Sequence, residues 1–173
     1  MKLTVSRQAL ERTLKQRLFD GPGGRRFLKG GAHSASFVSI EDPHLIFKQE
    51  RIVVRVTAHA RLGKTLGGKW LGVSVTLPAE VSVVPDADGE NLGFREARLD
   101  MVSDRREIDF VLAPFLRRKV PQNMRVDAAD MLRKTLALST GAYNVRLDRL
   151  NVHSIHIVGD KLVVDADGTI SIE

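Results

Sequence analysis

The chain has 173 residues, 43% hydrophobic and 28% charged, with a net charge of +6 and no cysteine. That length suits one domain with a real core, the missing cysteines exclude disulfides and thiolate chemistry, and no run of about 18 apolar residues exists that could form a membrane-spanning helix. The charge excess lies at the front, where Lys2, Arg7, Arg12, Lys15, Arg17, Arg25, Arg26 and Lys29 face only Glu11 and Asp20 before residue 35; such an end suits an anionic surface or a solvated helix face.

In chain order, Ser6 is placed to cap a helix over 6–19, with Val5 and Leu10 as a hydrophobic staple and Leu10, Leu14 and Leu18 repeating every fourth position. Gly21-Pro22-Gly23-Gly24 ends it, and the stretch to Ala35 reads as a mobile loop. A strand through Phe37, Val38 and Ile40 is ended or bent at Asp42-Pro43, before Leu45 and Phe47 resume the apolar marking. Two long strands follow. In the first, Ile52, Val54, Val56, Ala58, Ala60 and Leu62 alternate with Arg51, Arg55, Thr57, His59 and Arg61, with Val53 breaking the polar row. In the second, Leu71, Val73, Val75, Leu77, Ala79, Val81 and Val83 alternate with small or polar residues. Each therefore has one apolar and one wet face, and Gly67-Gly68 marks a hairpin with a flexible tip.

Asp86-Ala87-Asp88-Gly89 reads as the next turn, and the phase slip at Glu96-Ala97, between Leu92/Phe94 and Leu99/Met101, predicts a bulge. The period then becomes helical from Ile108 to Val120, with Pro114 kinking it, and again from Asp127 to Gly141. Val145 to Ile157 alternates loosely. Gly159-Asp160 and Asp167-Gly168 read as hairpin turns between short strands at Leu162–Val164 and Ile170–Ile172. The expected fold is α+β, a single domain over 1–173: an N-terminal helix, strands over about 36–102, helices over about 108–140 and C-terminal strands over about 143–172, with a strongly twisted, curved antiparallel sheet wrapped around helices.

The Ser6–Phe19 helix, Ala58-His59-Ala60-Arg61-Leu62-Gly63, Val73 to Pro85, Gly93 to Val102, Leu112-Ala113-Pro114-Phe115-Leu116 and Ser154 to Val164 occur in an order that resembles the tubular lipid-binding (TULIP) superfamily, and within it the YceB-like lipoproteins of the bacterial envelope. The resemblance covers most of the chain through motifs that are individually weak. It implies a curved sheet around a long helix, with an elongated apolar groove able to hold acyl chains. It also implies a lipidated cysteine just upstream and a periplasmic, membrane-anchored location; this chain carries no cysteine, and a cytoplasmic location is the alternative.

The residues expected to line such a groove are Val54, Val56, Ala58, Val73, Val75, Leu77, Leu99, Leu112, Phe115, Leu116, Leu132 and Leu136, and those expected to meet an anionic headgroup or membrane are Arg12, Arg17, Arg117, Arg118 and Lys119. Burying a fourteen-carbon chain offers about 10 kcal/mol before ordering costs, so such a site needs no polar motif. The expected partner is a lipid or another hydrophobic small molecule, with no cofactor, no metal and no nucleic acid. His153 and His156, three apart in a strand, would face opposite ways and could not share a metal. The two Asp-Ala-Asp-Gly segments lack the further oxygen ligands of a calcium loop, and no nucleophile elbow is present, so no enzyme is expected. The second reading is an interaction module with a filled core whose basic N-terminal helix docks an anionic partner or membrane surface. Nucleic-acid binding is third, because stacking aromatics are few.

Overall fold

A computed structural model describes residues 1–101, 113–114, 117–118, 126–127, 129–130, 132–134 and 145–172. It is built mostly of antiparallel strands, with a strongly curled half-barrel sheet and few helices. The elements are β1 (Lys2–Ser6), α1 (Arg7–Leu18), β2 (Arg25–Lys29), β3 (Phe37–Lys48), β4 (Arg51–Leu66), β5 (Lys69–Asp88), β6 (Asn91–Met101), β7 (Val126–Asp127), β8 (Val145–Val158) and β9 (Lys161–Ile172). The larger sheet runs β2-β3-β4-β5-β6-β7, and a second, three-stranded sheet runs β1-β9-β8.

The two long alternating runs form the centre of the larger sheet. Strand β4 pairs with β5 from Ile52↔Val83 through Ala58↔Leu77 to Leu66↔Lys69 without a slip. Directly opposed residues share a face, so the apolar rows of both strands merge, and Leu45, Ile40 and Val38 join them from β3 opposite Val54, Ala58 and Ala60. Val38, Ile52, Ala58, Ala79, Val81 and Val83 are all 0% exposed. Burying each aliphatic side chain of this row contributes about 1.5–3 kcal/mol. Leu10 and Leu14 of α1 enter the same core, as do Leu150, Val152, Leu162 and Val164 of the smaller sheet, so one apolar cluster joins helix and both sheets.

Helix α1 starts where its cap predicts. The Ala9 amide donates to Ser6 Oγ at 3.2 Å, and Val5 and Leu10 both pack into the core. The helix lies against β3 and is tied to it around Leu45, whose amide donates to Glu11 Oε2 at 2.9 Å and whose carbonyl accepts from Arg7 Nη1 at 3.3 Å. Asp42, with φ 53°, and a register shift between Glu41 and His44 bend β3 at Pro43 rather than ending it. The predicted bulge is present too. Register shifts between Ser82 and Val84, Glu96 sits at φ 52°, and Leu99 is restored opposite Val81.

Several expectations are corrected. The stretch read as a loop to Ala35 contains β2, which pairs with β3 from Arg25↔Glu41 onward. The turn expected over 86–89 closes later, at Gly89-Glu90, because β5 stays paired through Asp88↔Asn91. Asp167-Gly168 is not a turn at all: β9 passes through it, with Gly168 opposite Leu150. The helices expected over 108–140 fall largely outside the described residues, among which 113–114, 117–118, 129–130 and 132–134 are helical and Val126–Asp127 is a short strand beside β6.

Candidate functional site

The groove residues expected from sequence are distributed unevenly. Val54, Val56, Ala58 and Leu77 stand together on the apolar face, sealed at 1, 2, 0 and 6% exposure. Val75, Leu99 and Leu132 pack partly buried against the same cluster. Val73 does not join them; it is 52% exposed. Leu112, Phe115, Leu116 and Leu136 lie outside the described residues. The apolar face therefore has a gradient. It is closed at Ala58 and Ala60, half-open at Leu62 and Val75, and open at Val73, Leu71 and Leu66, all on one side of the β4–β5 ribbon.

The opposite face of the same strands is polar, and its charged side chains are largely paired with one another. His59 Nε2 lies 2.6 Å from Glu41 Oε1 and its Nδ1 2.8 Å from Thr76 Oγ1, while Arg25 Nε donates to Glu41 Oε2 at 3.1 Å. The contact with His59, then that with Arg25, holds the Glu41 carboxyl below its ordinary value against the opposing effect of burial. Arg55 donates to Glu80 through Nε and Nη2 at 2.8 and 2.6 Å. These ladders neutralise Arg25 and Arg55 on that face, while Arg61 stacks on Trp70.

Among the expected headgroup residues, Arg12 is exposed on α1, whereas Arg17 donates to Asp130 Oδ2 at 3.2 Å and so joins an ion pair with a helical residue far along the chain. Arg117 and Arg118 are exposed, and Lys119 lies outside the described residues.

A cleft of about 450 Å³ opens between β5–β6 and β8, lined by Glu50, Pro85, Asp86 and Arg95 on one side and by His153 and His156 on the other. Here sequence reasoning missed a bulge. Register shifts between Val152 and Ser154, so His153 and His156 turn to the same face, beside Asp167 and Asp165 of β9. His153 Nε2 is 2.7 Å from Asp167 Oδ2, which holds that carboxyl below its usual range. Ser154 Oγ lies 3.1 Å from His156 Nε2, and Asp165 Oδ2 approaches the same nitrogen at 3.6 Å. A Ser-His-Asp relay needs serine and carboxylate on opposite ring nitrogens, so this cluster is an ordinary polar contact set and no such relay. Among the described residues no group of three histidines or carboxylates is arranged to hold a metal ion.

The described fold is thus that of a half-barrel antiparallel-sheet protein with an exposed apolar strip at Leu66, Leu71 and Val73. No family model matches the chain, and no curated protein or solved structure is detectably similar to it.

Proposed function

We propose that this chain is a non-catalytic binder of a hydrophobic or amphipathic ligand, with an acyl chain lying along the apolar face of the curled sheet. The observation that carries the reading is the exposure gradient along β4 and β5: a continuous aliphatic row that begins sealed at Ala58 and ends open at Val73 and Leu71. Large exposed apolar strips continuous with a core are costly to leave in water and serve to receive something. Because Val54, Val56 and Ala58 are closed already, the ligand enters at Leu62, Val75 and Val73 and reaches inward only as far as neighbouring side chains yield. On this reading the helices over 108–140 cover the sheet as in the tubular lipid-binding superfamily, and the protein works in the bacterial envelope.

The test is native mass spectrometry of gently purified protein. The expected spectrum contains an adduct of fatty-acyl mass that organic extraction releases, and Val75→Glu reduces it, because a carboxylate in the slot must be desolvated beside the chain. A protein persistently free of lipid and indifferent to added fatty acid overturns the reading.

The near-zero exposure of Val54, Val56 and Ala58 favours a second reading, an interaction module with a filled core whose N-terminal helix docks an anionic partner. It predicts loss of partner binding in Arg12→Glu with Arg17→Glu.

A further inference from the structure

The pairing of β3 with β4 ends at Phe37↔Arg61, and among the described residues that of β6 with β5 reaches Met101↔Ala79. Beyond those points, among the described residues, β4 and β5 pair only with each other, out to Leu66↔Lys69. Among the described residues the hairpin is therefore an arm projecting past its neighbours.

Its two faces differ sharply. On one, Trp70 lies over the opposed glycines Gly63 and Gly72, where an added Cβ would come within 2.9 and 2.8 Å of the indole. The Arg61 guanidinium stacks 4.3 Å from the Trp70 ring, and Trp70 Nε1 donates to the Ala35 carbonyl at 2.9 Å. Ser36 Oγ also binds both backbone groups of Gly63, at 2.5 and 2.9 Å. That face is stiffened and closed. The other face carries Leu62, Leu66, Leu71 and Val73, with Leu66, Leu71 and Val73 49, 56 and 52% exposed, and on it exposed Lys64 and Lys69 stand directly opposite Leu71 and Leu66. From Arg51 to Ala79 the sequence holds Arg51, Arg55, Arg61, Lys64 and Lys69 and neither Asp nor Glu. Neither Lys64 nor Lys69 has an ion-pair partner among the described residues.

The geometry points to this arm as a membrane-docking device: its tip enters the headgroup layer of an anionic phospholipid bilayer, with the leucines below the glycerol level and Lys64 and Lys69 against lipid phosphates. Leucines paired across the strands with lysines whose long stems can carry their ammonium groups up to the phosphates, on a rigid two-stranded ribbon with an indole near the interface, match the layered polarity of a bilayer surface. Charge complementarity selects this occupant over a second copy of the chain, whose arm would bring the same lysines into repulsion. The inference extends the proposed function by giving the apolar face an outlet at a lipid surface. It does not depend on a bound acyl chain, since flotation and the mass spectrum are scored independently.

The test uses the full chain with vesicles of phosphatidylcholine alone and of equimolar phosphatidylcholine and phosphatidylglycerol. Trp70 is the only tryptophan and reports from the arm itself. The protein is expected to float with the anionic vesicles and not the neutral ones, with a blue shift of Trp70 emission. Lys64→Glu with Lys69→Glu weakens partitioning about 30-fold, and Leu66→Ser with Leu71→Ser weakens it about tenfold or more, both with unchanged thermal melts. The charge-matched control Lys48→Glu with Lys161→Glu, at exposed sites away from the arm, still floats. The inference is overturned by absence of flotation, by flotation indifferent to the arm variants, or by loss confined to Arg12→Glu with Arg17→Glu. A concentration-dependent dimer, broken by the leucine exchange and without vesicle binding, overturns it equally and assigns the face to self-association.

Discussion

Two residues show how single groups decide local stability. Glu11 is 17% exposed in its side chain and bridges α1 to β3 through the Leu45 amide. Burial pushes its carboxyl up, but the Leu45 amide, the Lys15 ammonium 3.1 Å away and His44 together outweigh that and hold it below the ordinary value. A carboxyl depressed on folding contributes stability above its unfolded pKa and loses it as pH falls through the folded one. Glu11→Gln is therefore expected to lower stability by about 1–2 kcal/mol near neutral pH, and urea melts should show the difference shrinking as the pH drops below the carboxylate range. Ser39 is the opposite case. It is 0% exposed and its hydroxyl has no hydrogen-bond partner among the described residues. Ser39→Ala is expected to raise stability by about 1 kcal/mol, read as a higher urea midpoint at unchanged slope.

At the scale of elements, the strands with strict alternation were legible because one face is buried and the other wet; β4 and β5 are the clear instances. The Glu96 bulge was legible for the same reason, as a break in phase. What escaped were elements whose pairing, not their pattern, defines them. Strand β2 has only Phe27 and Leu28 among basic residues, and it is a strand because β3 offers an edge. Asp167-Gly168 has turn composition, yet Gly168 lies where β8 bulges, and an added Cβ would sit 3.3 Å from the Arg149 carbonyl and 3.5 Å from Leu147. Close approach explains that glycine, and no turn is needed. The His153–His156 pair was misread because a single bulged residue reverses every later side chain in a strand. The β3–β4 turn carries a removable cost: Gln49 holds φ 49°, which a glycine adopts freely. Gln49→Gly is expected to raise stability by up to about 1 kcal/mol, as a thermal melt can check.

Over the whole molecule, the curled sheet was legible and its exposure gradient was not, because alternation says which face is apolar and nothing about where neighbouring strands stop. Val73 carries the same sequence signal as Val81, yet it is 52% exposed while Val81 is buried completely. On the β3 side the difference arises because that strand reaches only to Phe37, opposite Arg61, short of the arm. Hydrogen exchange is expected to follow this boundary, with amides from Ile52 to Ala60 exchanging slowest and those from Lys64 to Leu71 fastest within the same two strands. Uniform protection along the hairpin would contradict an isolated arm.

The small sheet carries a further consequence. Its first strand pairs with its last, from Lys2↔Asp165 to Ser6↔Lys161, and Arg7 adds an ion pair to Asp160 at 2.7 Å. During synthesis the β1 segment must wait, without its partner, until β9 has left the ribosome. Contacts of such long sequence separation form slowly, and the greasy side of the half-barrel stays open meanwhile. Nascent molecules stalled before β9 therefore make better chaperone clients than released ones, and their own core is the surface a chaperone would hold.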